Sequence, residues 1–265
     1  MRWSDRRILI TGASGGIGRE LVTLLAERGA RLLIVGRNES VLKELTALAP
    51  GHIRALSADL TQPDDRRQIV EMAEDARVDM LINAAGVNHF GLFDEQTPAT
   101  ISSMVDLNVT ATLLLTQALL PRLLHENSAW IVNLGSAFGA IGHPGYTAYC
   151  TTKFALRGFS QALRRELADT PVKVLHISPR ATRTGMNSDL ADALNAALGN
   201  HVDEPSQVAA DVIRVIEKHA PDRQLGWPEC LLVRLNGILP GIVDRALKKQ
   251  LSTIQQYARR SSTSS

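Results

Sequence analysis

The chain has 265 residues, 45% of them hydrophobic and 21% charged, with a formal net charge of +2. This suits a globular domain that can bury about three quarters of its unfolded surface without a disulfide or metal staple, and the near balance of charge excludes a nucleic-acid-binding footprint. The two cysteines, Cys150 and Cys230, form no disulfide framework and no Cys/His metal spacing occurs, which points to the reducing cytoplasm.

Apolar runs of strand length alternate with longer helical patterns. Residues 7–10 read as a first strand, too short for a signal-peptide core. Ile17, Leu21, Leu24 and Leu25 then share a helical face that Gly29 ends. Residues 31–35 are a second strand, and Val41, Leu42, Leu45 and Leu48 mark a helix before Pro50. Residues 52–56 are a third strand ending near Asp59, 68–76 a third helix and 80–83 a fourth strand. Residues 100–125 form a long apolar helix or a helix pair. Residues 129–134 are a fifth strand, 149–168 a helix, 172–177 a sixth strand and 204–219 another helix. No run of 18 apolar residues occurs, so no membrane span is expected. The alternation predicts an α/β fold, a doubly wound parallel sheet with helices on both faces.

Between the first strand and its helix lies Thr11-Gly12-Ala13-Ser14-Gly15-Gly16-Ile17-Gly18. Glycines let a backbone turn tightly against a pyrophosphate, and the helix N-terminus offers N–H groups and partial positive charge. A tight βα turn is the plain alternative. Tyr149 follows Ser136 by thirteen positions, and Lys153 follows Tyr149 by four, one helical turn on the same face. A free phenol titrates near 10. A neighbouring ammonium is expected to lower it toward useful acid–base work, with Ser136 hydrogen-bonding the same substrate oxygen. An ordinary helix surface is the alternative for the Tyr/Lys pair. Cys150 reads as packing, and His89 and His143 as pocket wall or surface.

These motifs, with Asp59, Asn83-Ala84-Ala85-Gly86, Asn108 and Pro179 in order along residues 6–220, resemble the short-chain dehydrogenase/reductase family. The resemblance implies one Rossmann-like domain and a nicotinamide cofactor. Gly12, Ser14, Gly16, Ile17, Gly18, Asn83, Ala84, Gly86, Pro179 and Thr184 would lie along that cofactor, with Asp59 and Leu60 against the adenine. It also implies catalysis by Ser136, Tyr149 and Lys153, with Lys153 on the nicotinamide ribose and Asn108 holding a water that links Lys153 to solvent. The second strand ends Val35-Gly36-Arg37. An acid there would bind the ribose hydroxyl of NAD, whereas Arg37 offers a fork for a 2′-phosphate, so NADP(H) is expected over NAD(H). A solvated Arg37 is the alternative.

The chain departs from the family pattern twice. Arg180 stands where glycine usually follows Pro179, which puts the loop shape and the reach of Thr184 in question. Arg180 and Arg183 are read as solvated loop residues, or else as partners of an acidic group on the substrate or the cofactor. Beyond residue 224, Leu235, Leu239, Ile242, Ala246, Leu247, Leu251 and Ile254 mark a helical stripe interrupted at Pro240, and residues 245–260 hold five basic and no acidic residues. This extension reads as a cleft lid, a subunit contact or a basic amphipathic helix on a membrane surface. The division is therefore 1–224 (cofactor and catalytic domain), 225–260 (extension) and 261–265 (disordered tail).

The expected activity interconverts a ketone or aldehyde and an alcohol with NADP(H), on a substrate of lipophilic class. A nucleotide-sugar epimerase fits the glycine spacing poorly, and a non-catalytic cofactor- or lipid-binding scaffold is the alternative. The resemblance also implies a homodimer or homotetramer through the helices of residues 100–125 and 149–168.

Overall fold

The computed structural model describes residues 1–262. Strands β1 (Arg7–Thr11), β2 (Arg31–Gly36), β3 (Ile53–Ser57), β4 (Met80–Asn83), β5 (Ala129–Leu134), β6 (Val172–Ser178) and β7 (Asp222–Gln224) form one sheet. Its order is β3-β2-β1-β4-β5-β6-β7, and every pairing is parallel. β4 and β5 are buried at every residue. Central strands of a sheet covered on both sides read as continuous apolar runs for this reason. Edge strand β3 buries only Ile53.

Alternate strand residues sort into two cores. Ile8, Ile10, Ile34, Ile82 and Val132 pack with α1 (Gly16–Glu27), α2 (Glu39–Leu48) and α8 (Pro205–Glu217). Leu9, Leu33, Leu81, Ile131 and Val174 pack with α3 (Pro63–Asp75), α5 (Thr112–Leu124) and α6 (Thr147–Glu166). Local chemistry sets the helix ends. Gly29, at φ +77°, lies just past the end of α1, and Asn38 caps α2 through the Val41 N–H at 3.2 Å. Proline opens α3, α8 and α4 (Pro98–Val105), where its missing N–H costs nothing.

The apolar stretch after residue 97 is one continuous helical run. α4 passes through a π-helical segment, Asp106–Ala111, into α5. By length and composition Pro98–Leu124 could cross a membrane. Here Ala111, Leu115, Leu119 and Leu123 bury it against the sheet, so it is a core helix.

Two elements have no counterpart in the sequence reading. β7 is three polar residues at the sheet edge, without an apolar signal. α7 (Asp189–Ala197) carries its signal in the Ser188 cap on Ala191 N–H, at 3.2 Å, with Ala191 and Leu194 buried on one face. After β7 come α9 (Glu229–Ile238) and α10 (Pro240–Ser262). Pro240 thus starts a helix. α10 runs two residues into the segment read as a disordered tail, and residues 263–265 lie outside the described residues.

Candidate active site

The strand order reverses between β1 and β4, and the carboxyl ends of these strands flank the crevice where ligands bind in such sheets. Gly12 lies there at φ +68°, and a Cβ on it would meet the Ala85 backbone at 2.6 Å. A Cβ on Gly18 would meet Gly12 O at 2.1 Å, and one on Gly16 would meet Thr184 Cγ2 at 2.7 Å. The loop is thus pressed against the end of β4 and under the loop after β6, where only glycine fits. The N-cap of α1, Gly15, has no side-chain hydrogen bond, so the helix N-terminus is left to a ligand's phosphates. Thr11 Oγ1 accepts the N–H groups of Ala84 and Ala85 at 3.2 and 3.3 Å, tying the two strand ends together. The glycine loop therefore fits a dinucleotide.

Along the crevice, Ser14 packs against Gly36, where a Cβ would meet Ser14 Oγ at 2.7 Å. Arg37 lines a cavity of about 370 Å³ with Asp59, Thr61, Val87, Asn88 and His89. Thr61 N–H donates to Asp59 Oδ1 at 2.9 Å. That bond and, more weakly, the charge of Arg37 hold the Asp59 carboxyl below its ordinary range. Leu60 turns into the core instead. The Asn83 amide points away from the crevice, donating to Thr116 Oγ1 at 3.1 Å and Asn133 Oδ1 at 2.8 Å.

Ser136 follows β5, and Tyr149 and Lys153 lie on the inner face of α6. The Ser136 hydroxyl hydrogen-bonds the Tyr149 phenol. Lys153 Nζ donates to Leu134 O at 3.2 Å and lies 5.7 Å from the Tyr149 ring centre. Asn108 enters from the π-helical segment. Its Oδ1 accepts Val87 N–H at 2.8 Å, and its Nδ2 donates to Val87 O at 2.9 Å and Thr152 Oγ1 at 3.0 Å. Thr152 Oγ1 donates in turn to Tyr149 O at 2.8 Å. Thr152, which the sequence reading passed over, links Asn108 to the turn that carries Tyr149; no local pattern marks it, because the link spans two helices.

The electrostatics correct one expectation. Burial pushes the Tyr149 phenol up to about 12, and only the Ser136 hydrogen bond opposes the rise. Lys153, far from lowering the phenol, is itself pulled down to about 8 by burial. Among the described residues no carboxylate faces its ammonium, so desolvation of the charged form wins. Tyr149 is therefore held protonated at neutral pH, the form that donates.

Phe138, His143 and Tyr146 wall the site, with ring centres 4.9 Å apart for both Phe138 pairs. His143 Nδ1 lies 2.8 Å from Pro144 O, and burial lowers its titration. Cys150 Sγ takes the His143 N–H at 3.4 Å, and burial raises its thiol, as suits packing rather than attack. Above the site, Phe90, Tyr146, Tyr149, Ala191, Leu194, Ile254 and Ala258 form a third apolar cluster. The far half of α10 therefore packs on the walls of the cleft.

Arg180 is neither solvated nor aimed at a ligand, contrary to both readings of the sequence. Its Nε and Nη2 grip Asp203 at 2.8 Å each, and its Nη1 reaches Trp227 O at 2.7 Å and Glu229 at 3.2 Å. It does not adopt positive φ, whereas Gly226, at φ +84°, leaves it room: a Cβ there would meet Arg180 Cδ at 2.6 Å. Arg183 pairs with Glu204 at 2.9 Å on the surface. Thr184 still reaches the glycine loop. Pro179 O accepts the Ala137 N–H at 2.9 Å, holding the loops after β5 and β6 together.

The short chain dehydrogenase model matches residues 6–195. An uncharacterised oxidoreductase of Staphylococcus saprophyticus is 32% identical over 194 residues, covering 71% of this chain and 78% of that protein. Among solved structures, a short-chain dehydrogenase from Sphingobium yanoikuyae in complex with NADPH is 30% identical with a TM-score of 0.77, covering 90% of this chain and 95% of that one. A 3-ketoacyl-(acyl-carrier-protein) reductase from Brucella melitensis complexed with NADH shares the fold, with a TM-score of 0.77 at 23% identity over 84% of this chain and 98% of that one. The chain belongs to the short-chain dehydrogenase/reductase family and is an oxidoreductase of that family.

Proposed function

We propose that the protein is an NADPH-dependent carbonyl reductase acting on a lipophilic ketone or aldehyde, within the class EC 1.1.1.-. The observation that carries the reading is a buried, protonated Tyr149 hydrogen-bonded to Ser136 and one helical turn from Lys153. The cofactor, when bound, supplies the hydride. Gly12, Gly16, Ile17 and Gly18 hold its pyrophosphate, while Ser14 and Arg37 flank its 2′-phosphate. Asp59, Ala84 and Gly86 line its adenosine half; Asn83 and Leu60 contribute through backbone alone. Pro179 and Thr184 border the nicotinamide end. Tyr149 gives its proton to the carbonyl oxygen, Ser136 orients that oxygen, and Lys153 returns a proton to the phenol. Asn108 and Thr152 keep the turn of α6 in place.

The walls of the cleft support the substrate class, since Phe90, Phe138, Tyr146, Leu194 and Ile254 are apolar. The exposed faces of α5 and α6 are the proposed homodimer or homotetramer contact, and the extension is the proposed route of peripheral membrane contact. Gly36 and Arg37, and the NADPH-bound Sphingobium neighbour, support the cofactor choice. The test is Arg37→Asp, with kcat/KM measured for NADPH and NADH. Loss of charged hydrogen bonds predicts an NADPH preference reduced about 10–100-fold; an unchanged preference would sink the assignment.

A further inference from the structure

Helix α9 reads Glu-Cys-Leu-Leu-Val-Arg-Leu-Asn-Gly-Ile, an apolar sequence, yet none of its residues is buried. Trp227 before it is 68% exposed, and Leu231 and Leu232 are 49% and 40% exposed. At the elbow, Leu239 leaves helical geometry and Pro240 starts α10. There Ile238 is 77%, Leu239 51% and Ile242 42% exposed. Single exposed aliphatic residues are ordinary, but a contiguous apolar patch needs an occupant.

Helix α10 does not offer the same surface. Of the stripe legible in the sequence, Ile254 is buried against the body of the protein together with Val243 and Ala258, whereas Leu239 and Ile242 at the elbow stay exposed. What else remains exposed around the elbow is cationic. Arg234, Arg245, Lys248 and Lys249 are exposed, and none has a carboxylate partner among the described residues. Asp244 is the single acidic residue between 230 and 262.

We propose that the α9–α10 elbow docks on an anionic lipid bilayer. Ile238 and Leu239 enter the boundary of the acyl chains, Trp227 lies at the headgroup level, and the four cations meet lipid phosphates. The most exposed aliphatic residue sits at the turn between two helices, the point that leads into a lipid layer. Asn236 Nδ2 donates to Ala140 O at 2.9 Å, tying α9 to the loop that walls the active site. A docked elbow therefore holds the cleft at the bilayer, where a lipophilic carbonyl partitions. The proposal deepens the membrane contact given above and is independent of the chemistry at Tyr149.

The chain carries its own reporter. Trp3 and Trp130 are 6% and 3% exposed, so a change in tryptophan emission on adding lipid reads Trp227. The experiment titrates the full chain with vesicles of phosphatidylcholine, with and without phosphatidylglycerol, following emission and co-sedimentation. Binding with a blue shift is expected on the phosphatidylglycerol vesicles and should weaken with salt. Ile238→Asp/Leu239→Asp and, separately, Arg245→Glu/Lys248→Glu should each weaken binding at least about tenfold. Their thermal midpoints should match wild type, since all four side chains are exposed. Absence of binding to either vesicle, or variants that bind as wild type does, would overturn the proposal. So would an elbow variant that loses self-association while vesicle binding stays intact, because the elbow would then be a subunit contact.

Discussion

The two sides of the cleft are held by opposite means. On the side of the glycine loop and α6, backbone contacts and a polar network set positions: Gly12 against Ala85, Thr11 on two N–H groups, and Asn108 through Thr152 to Tyr149. On the side of α7, α9 and α10, apolar packing and one half-buried arginine do the holding, and helix α9 has no buried residue. Hydrogen bonds specify geometry within tenths of an ångström, whereas apolar packing specifies volume. The first side suits reaction chemistry, which tolerates little misplacement; the second suits a substrate of variable shape.

Three measurements would break or sharpen that contrast. The largest effect is expected from Tyr149→Phe, which removes the proton donor and keeps the ring. Turnover should fall about 10²–10⁴-fold with NADPH binding retained, and unchanged turnover would make this side of the cleft a scaffold.

Next comes the other side. Arg180→Ala leaves Asp203 and Glu229 facing each other's surroundings without their cation. Stability should fall by about 2 kcal/mol, read from denaturant midpoints. Limited proteolysis should begin near residues 225–240, while kcat on a small carbonyl changes little. A collapse of kcat equal to that of Tyr149→Phe would show that the two sides are not separable.

The smallest effect concerns pH. Lys153 binds its proton less tightly when folded, at about 8 against 10.5 unfolded. The unfolded chain therefore holds more protons between these values, and stability rises with pH through that window. Tyr149 has the opposite sign, because its folded value of about 12 exceeds 10, so it lowers stability only above pH 10. Unfolding of the cofactor-free protein between pH 7.5 and 9.5, a window chosen to lie roughly below the phenol's range, should show a rising midpoint. The rise should vanish in Lys153→Met; a rise that survives in that variant would assign the titration elsewhere.

Much of this molecule was legible along the chain. Ile8, Ile10 and Ile34 against Leu9 and Leu33 carry the period that puts alternate residues on two faces, and Gly29, Asn38 and the helix-opening prolines carry end signals in single residue types. The glycine loop and the Tyr149/Lys153 spacing are also local, since each needs only a turn or one helix, whereas Ser136 reaches Tyr149 from the end of β5. Tertiary structure alone decided the rest. β7 exists because β6 presents an open edge to three polar residues. Thr152 matters because a π-helical segment brings Asn108 to it. Arg180 became a latch because Gly226 left it room and Asp203 lay opposite, facts separated by 46 and 23 positions in the chain. The titration of Tyr149 was set by how deeply it is buried, which no spacing records. Desolvation and long-range pairing depend on what surrounds a residue in space, and a sequence pattern states only what precedes and follows it.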